Sequence, residues 1–300
     1  MAYGYIGHEK NFIYINGEPL LDVQSVDSSI SSNRTALNMA GVASTLQVSE
    51  GVSQATMNLS RYVISSTAHD PFAGGIYGPN LFLDGFTGVW QHLDATGGNN
   101  FFGMTTGYVN NYTVTAAVNS VPSTSMGLVA YGSGIGQIDI PTGYMTGASN
   151  ADFLENYIFP KQIELAFNDP NTLSGIVTTN RVQSFDISFT MNREVRNRLG
   201  QMKKMPETSI SYPIEASLSI EIDVDEYSIP AINTLLCQDP ENIFIYLKKC
   251  DGTIFRGFQF SSGVIQAASM SEEVTDMNRA TLEYTRYLNN DNDINFWMPY

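Results

Sequence analysis

Residues 182–193 read VQSFDISFTMNR, and residues 23–34 read VQSVDSSISSNR. The two stretches are identical at seven of their twelve positions, at a constant offset of 159 residues. Identity this dense in one short window indicates an internal repeat, in which one structural unit occurs twice along the chain. This repeat is the feature from which we predict the fold.

Weaker matches extend the repeat beyond this stretch in each copy. They pair residues 55–60 with 216–221 at an offset of 161, and residues 107–129 with 263–285 at an offset of 156. The offset changes only slightly, as small differences in loop length would cause. A chain of 300 residues is long enough for two ordinary domains. We therefore predict two tandem domains, spanning residues 1–158 and 159–300.

Apolar and polar side chains alternate within the repeated stretches, which predicts strands with one buried face and one wet face. In the second copy, the predicted inward set is Gln183, Phe185, Ile187, Phe189 and Met191, and the outward set is Val182, Ser184, Asp186 and Ser188. The next strand places Ser217, Ser219, Glu221 and Asp223 outward, and the first copy places Ser25, Asp27, Ser29 and Ser31 outward. The wet faces therefore carry hydroxyls and carboxylates, with almost no Lys or Arg.

Two long connections, residues 33–53 and 192–211, separate the first two predicted strands of each copy. Hairpin loops usually have about two to five residues, so a longer segment is uncommon unless it is used. Each connection is therefore either a solvated loop or an arm that docks on a neighbouring acidic subunit, through residues 38–50 and 196–206. The four residues called the arm cations below are Arg196, Arg198, Lys203 and Lys204.

Two further segments are predicted less regular. Residues 227–238 suggest a short helix with a proline near its start. Residues 65–105 are rich in Gly, Pro and Asn and suggest a short helix with loops.

The overall composition bounds the functional classes. Apolar residues make up 43% of the chain, so a core can form, and charged residues make up only 15%. Soluble domains usually have about 25% charged residues, so this surface favours a protein that packs against copies of itself. The net charge of −15 would repel DNA on average, so contact with DNA is expected only if it is not adhesive.

The two cysteines, Cys237 and Cys250, form no CxxC motif and suggest no zinc site. We expect both to be buried free thiols in a reducing compartment. The sequence shows no secretory signal pattern and no apolar run near the roughly 18 residues that a membrane span needs. A soluble protein made in the cytoplasm, without membrane insertion, is expected.

Motifs for catalysis and for metal or cofactor binding are weak. The three histidines lie outside any HExxH pattern, and no GxSxG nucleophile motif occurs. The glycine-rich stretch 132–136 lacks the Lys of a phosphate-binding loop, and we interpret it as a flexible loop. The acidic stretch 223–226 lacks the turn glycine of a calcium loop, and residues 289–293 suggest a surface turn. We expect no enzyme activity, cofactor or metal.

Several stretches resemble phage tail proteins. The stretch 107–128, GYVNNYTVTAAVNSVPSTSMGL, resembles a recurring segment of phage tail structural proteins. The units VQSVDSSIS…ATMNLS and VQSFDISF…ASLSIE resemble the long inner hairpins of the tail-tube fold, which baseplate hub and distal tail proteins share. Together these segments cover about half of the chain.

The resemblance implies a mainly β protein, with two tail-tube-like domains that are β-sandwiches or partial barrels, each flanked by a short helix. Family rings contain six such domains, so a duplicated subunit would form a homotrimer with pseudo-hexameric symmetry. Four strands from each of six domains would close a barrel roughly 50 Å across at the backbone. Its bore of roughly 40 Å would pass duplex DNA about 20 Å wide.

The leading hypothesis is therefore a virion tail-tube subunit whose stacked rings enclose an acidic channel for DNA ejection. The expected partners are further copies of the chain, other tail proteins such as sheath, terminator or baseplate, and double-stranded DNA in transient, non-specific passage. Two alternatives are a baseplate hub, distal tail or terminator ring, and a glycan-active β-sandwich enzyme using Glu221 with Asp223 or Asp225 with Glu226. The predicted lumen residues are Ser25, Asp27, Ser29, Asp186, Ser188, Ser217, Ser219, Glu221, Asp223 and Glu283.

Overall fold

The computed structural model shows a mainly β protein, as predicted. It describes residues 11–20, 23–31, 34–37, 47–50, 53–63, 85–93, 99–132, 135–136, 160, 162–167, 177–196, 207–223, 242–261, 263–271, 279–289 and 297–299. The predicted helix over 227–238 lies outside these residues. Of the segment 65–105, the described part forms strands rather than a helix.

Twenty strands make up the described part. They are β1 (Asn11–Ile15), β2 (Glu18–Leu20), β3 (Val23–Ser31), β4 (Arg34–Leu37), β5 (Gln47–Glu50), β6 (Gln54–Tyr62), β7 (Phe86–Leu93), β8 (Asn99–Ala117), β9 (Ser123–Tyr131), β10 (Ile135–Gly136), β11 (Gln162–Phe167), β12 (Val177–Thr190), β13 (Arg193–Arg196), β14 (Glu207–Ile210), β15 (Ile214–Asp223), β16 (Asn242–Lys248), β17 (Ile254–Ser261), β18 (Val264–Ser271), β19 (Arg279–Leu288) and β20 (Trp297–Pro299).

Eight of these strands form one continuous antiparallel sheet, which we call the inner sheet. Its order is β3-β6-β9-β8-β12-β15-β19-β18. The first four strands come from the first half of the chain and the last four from the second half. The sheet is open in the described part, because β3 pairs only with β6 and β18 pairs only with β19.

The strand pairing repeats between the two halves at the offsets found in the sequence. A β-bulge interrupts the β3–β6 pairing between Val23 and Ser25, and the β12–β15 pairing is interrupted at the counterpart positions, between Val182 and Ser184. A second pair of bulges lies between Val109 and Asn111 and between Ile265 and Ala267. Strands β3, β6, β8 and β9 therefore have β12, β15, β18 and β19 as counterparts, while the exact domain boundaries stay a prediction.

The inner sheet is covered on its apolar side by further strands. The order β2-β1-β7 pairs onto the first part of β8, and β11, β16, β17 and β20 form the corresponding layer in the second half. Inward side chains of both layers form one buried cluster, which includes Ile15 from the outer layer and Leu59 and Ile187 from the inner sheet. The apolar half of each alternating strand is thus removed from water.

The two halves meet where β8 pairs with β12, which we call the internal joint. Seven residue pairs run from Ser184 opposite Ala117 to Thr190 opposite Asn111. On the buried side, the rings of Phe189 and Tyr112 stack with their centroids 5.7 Å apart. The joint thus joins the two four-stranded units through backbone hydrogen bonds and aromatic packing.

Two sequence predictions are wrong in detail. Val182 is buried and Gln183 faces the wet side, the reverse of the prediction, because the bulge after Val182 shifts the alternation by one residue. Cys250 is exposed instead of buried. It lies in the turn between β16 and β17, just after the apolar run has ended.

Candidate channel-lining face

The outward side of the inner sheet is polar across all eight strands, and we call it the polar face. The ten predicted lumen residues lie on it: Ser25, Asp27, Ser29 and Glu283 are exposed, and Asp186, Ser188, Ser217, Ser219, Glu221 and Asp223 are half-buried. Alternation places them there, because their apolar neighbours in each strand point into the core. Whether this face lines a channel depends on assembly.

Hydroxyl side chains form a row across the middle of the polar face. The register places one residue from each of seven successive strands in this row: Ser25, Ser60, Ser125, Thr113, Ser188, Ser217 and Thr285. Neighbouring hydroxyls bond to each other within the row, at 2.8 Å between Ser25 and Ser60 and at 2.8 Å between Ser188 and Ser217. Cross-strand hydroxyl pairs of this kind stabilise a sheet modestly.

Similar pairs flank the row. The hydroxyls of Ser29 and Thr56 are 2.7 Å apart, and those of Thr115 and Ser123 are 3.0 Å apart. These hydroxyls are thus bonded to one another and carry no charge. The seven residues of the row are thus polar, and none of them is Lys or Arg.

The carboxylates lie on both sides of the row. Asp27 is opposite Asn58 on β6, and Asp186 is opposite Thr115 and Ser219. Partial burial raises the pKa of the Asp186 carboxyl above its usual value. The ionised form is therefore less favourable here than in water.

One cation on the face was not predicted from the sequence. Arg279 lies opposite Asp223 at the start of β19. Its guanidinium is 3.2 Å from Glu221 and 3.5 Å from Asp223. Only the register of β19 against β15 brings it to these carboxylates. It neutralises part of the acidic charge at that edge of the face.

Glu221 and Asp223 also accept bonds from uncharged groups. Ser184 donates its hydroxyl to Glu221 at 3.0 Å, and the Gln183 amide donates to Asp223 at 2.5 Å. Both carboxylates are therefore held by neighbours on the sheet. This arrangement does not resemble a pair of carboxylates left free for acid–base chemistry, and Asp225 and Glu226 lie outside the described residues.

An open cleft of about 340 Å³ crosses the internal joint on this face. Hydroxyls and two carboxylates contribute to its lining, among them Thr115, Ser123, Asp186, Ser219 and Glu221. Among the residues that the structure describes, no three His, Cys, Asp or Glu side chains converge as metal ligands would. The cleft thus continues the polar face across the two halves.

The two halves differ at several matched positions, and Gly127 with Glu283 is one of these pairs. Gly127 lies opposite Asn111, and a Cβ on Gly127 would approach the Asn111 Oδ1 atom to 1.9 Å. At the counterpart position, Glu283 lies opposite Ala267. Each half thus pairs a small residue with a larger one at this place, but the strand that carries the small residue differs: it is β9 in the first half and β18 in the second. At this pair, only the second half has a carboxylate, that of Glu283.

The predicted arms begin as two-stranded ribbons. Strand β4 pairs with β5, and β13 pairs with β14, at counterpart places in the two halves. The guanidinium of Arg193, at the base of the second ribbon, lies 4.4 Å from the ring centre of Tyr108 in the first half. Of the arm cations, Arg196 ends β13, and Arg198, Lys203 and Lys204 lie outside the described residues. Their docking role stays a prediction.

In the part of the chain that the structure covers, no helix is long and apolar enough to cross a membrane.

Comparison with solved structures finds weak likenesses, among them the following two. One is a chain of the anti-feeding prophage baseplate, with 15% sequence identity and a TM-score of 0.31, covering 43% of this chain and 93% of that chain. The other is a type VI secretion system effector from Yersinia pestis, with 13% identity and a TM-score of 0.23, covering 43% of this chain and 99% of that chain. TM-scores this low do not establish a shared fold. No protein-family model matches the sequence, and no curated protein matches it, so the tail-tube resemblance stays a prediction.

Proposed function

We propose that the chain is a structural protein of a phage tail, a tube subunit whose polar face lines a channel for DNA. The observation that carries the proposal is the polar face itself, which continues over eight strands and both halves of the chain. Three chains would supply the 24 strands of the closed barrel, in pseudo-hexameric rings that stack.

The chemistry of the face supports passage without binding. A protein gains affinity for DNA mainly when Lys or Arg displaces counterions from the phosphates. The predicted lumen set contains hydroxyls and five carboxylates, and the Arg279 guanidinium beside them is engaged with Glu221 and Asp223. DNA would therefore gain no counterion release along the face and would slide through the channel.

A direct test combines imaging with a charge reversal. Negative-stain images of the concentrated protein should show rings or tubes with an open bore in end views. The variant Asp27→Lys with Glu283→Lys should still assemble but should retain double-stranded DNA at low salt, with an affinity that falls steeply as salt rises. Asp251→Lys serves as the control, because Asp251 lies in the β16–β17 turn, in the outer layer.

Three experimental results would count against the tube function or favour the alternative role. Compact monomers under all conditions would count against any ring protein. Equal DNA retention by the control would show that the polar face does not line the bore. Single rings that never stack would favour the alternative role of a baseplate hub, distal tail or terminator protein, which copy number per particle would then establish.

A further inference from the structure

The two edge strands of the inner sheet, β3 and β18, correspond through the repeat to two strands that pair with each other within the chain. In the described part, β3 and β18 each have one neighbour. Their counterparts in the other half, β12 and β8, pair with each other at the internal joint. An exposed strand edge carries unpaired backbone groups that readily accept a further strand. The chain therefore contains one completed joint and both separate halves of a second joint.

An apolar side chain that is exposed at the β3 edge has a counterpart that is buried at the internal joint. Ile30 on β3 is 55% exposed, whereas its counterpart Phe189 is 5% exposed and stacks on Tyr112 at the internal joint. Phe189 is covered because a neighbouring half is present. In the described part, Ile30 lies on a strand that pairs only with β6, so no strand lies beside it on the other side.

Two exposed residues near the β18 edge also have counterparts that are less exposed. Tyr287 is 52% exposed and Val264 is 48% exposed. Their counterparts are Tyr131 and Tyr108, which are half-buried near Arg193 of the following half. Of the four exposed large apolar side chains in the described part, Ile30 is thus matched to a residue of the internal joint, and Tyr287 and Val264 are matched to residues beside Arg193 of the second half. The fourth, Ile254, lies in the outer layer.

We propose that a second copy of the chain adds its β3 to β18 of the first copy, in the register of the internal joint. Shifting the pair Ser188–Thr113 by the repeat offsets places Ser29 of one copy opposite Ser269 of the other. Ile30 is then opposite Ala268. The proposal rests on the proposed function only in requiring that the chains self-associate, and it adds which edges meet and in which register.

A joint of this kind is head-to-tail, because different edges of the two copies meet. Head-to-tail contacts form closed rings when their rotation closes and open filaments when it does not. In a ring and in a filament alike, the same residues of β3 and β18 would lie opposite each other. The register can therefore be tested without knowing the final assembly.

The test is disulfide formation between two singly substituted chains. Chains carrying Ser29→Cys are mixed with chains carrying Ser269→Cys, both with Cys250→Ser to remove the exposed thiol. Directly opposed residues of antiparallel strands have Cα atoms about 4.5–5.5 Å apart, within the roughly 4.4–6.8 Å that a disulfide spans. Oxidation should join most of the chains into covalent dimers.

The matched control replaces Ser29→Cys with Ser25→Cys. Ser25 is on the same face of the same strand, and each substitution removes one hydroxyl pair. It lies four residues away, about 13 Å along the strand, so it should cross-link to Ser269→Cys at least tenfold less. Each variant oxidised alone measures any bond to Cys237.

Cross-linking at Ser25 equal to that at Ser29, or no cross-link at either position at any concentration, overturns the proposed register. Rings or tubes that form without the Ser29–Ser269 cross-link overturn this proposal and leave the tube function standing. The expected cross-link in assemblies that have no open bore supports the joint and counts against the tube function.

Discussion

Replacing Ile30 by alanine should weaken self-association without weakening the fold. Ile30 is more than half exposed in the single chain, so its truncation removes little from the core. At the proposed joint it would be covered as its counterpart Phe189 is. The loss should therefore appear only when two copies meet.

The magnitude follows from the change in exposure. Full burial of an isoleucine side chain contributes about 1.5–3 kcal/mol. A change from 55% exposed to the 5% of Phe189 buries half of that side chain, which corresponds to about 1 kcal/mol per joint. A ring of three chains has three joints and would lose about 3 kcal/mol, or about a hundredfold in its association constant. Because the midpoint concentration of trimer formation varies as the square root of that constant, it should rise about tenfold.

Mass photometry or sedimentation velocity over a concentration series measures that midpoint. The control is Ile254→Ala, because Ile254 is 54% exposed and has no matched residue at the internal joint. Thermal unfolding of both variants as monomers should match that of the unsubstituted chain. If Ile254→Ala shifts the midpoint as much as Ile30→Ala, or if neither shifts it, the reasoning from the internal joint is refuted.

Three other outcomes are expected. Asp186→Asn should raise the melting temperature at pH 7, because the raised pKa of Asp186 means that the folded state disfavours its ionised carboxyl. This gain in melting temperature should shrink as the pH falls and should vanish below the usual pKa of 3.8, where the carboxyl is protonated in both states. A gain that persists at low pH would contradict this cause. Gly127→Glu alone should destabilise the fold by about 1–3 kcal/mol in urea unfolding, and Asn111→Ala in the same chain should restore most of that loss, whereas additive losses would refute the exchange of sizes. Reversing the charge of the four arm cations should leave rings intact but prevent stacking, and tubes of unchanged length would refute the arm assignment.

Local pattern was enough to predict the strands of the inner sheet and the composition of its wet side. The alternation around Phe185 and Ile187 indicated which side chains enter the core, and the matched stretch around Asp27 indicated the same strand in the first half. Both signals lie within a few residues of the chain. They need no knowledge of which strand lies next to which.

Features that depend on neighbouring strands could not be predicted. The bulge beside Val182 reverses the side taken by Gln183, and it arises from pairing with β15. Arg279 meets Glu221 because two strands far apart in sequence share a register. Pairing of β8 with β12 likewise joins residues of different halves. The repeat in the sequence shows that the halves are alike but not how they join.

The exchange at Gly127 and Glu283 affects the symmetry of any assembly of these chains. The aspartates Asp27 and Asp186 are counterparts, so each half contributes one. The carboxylate of Glu283 has no equivalent at Gly127. In a closed trimer the main chain would repeat every 60°, while the electrostatic potential along the bore would repeat only every 120°.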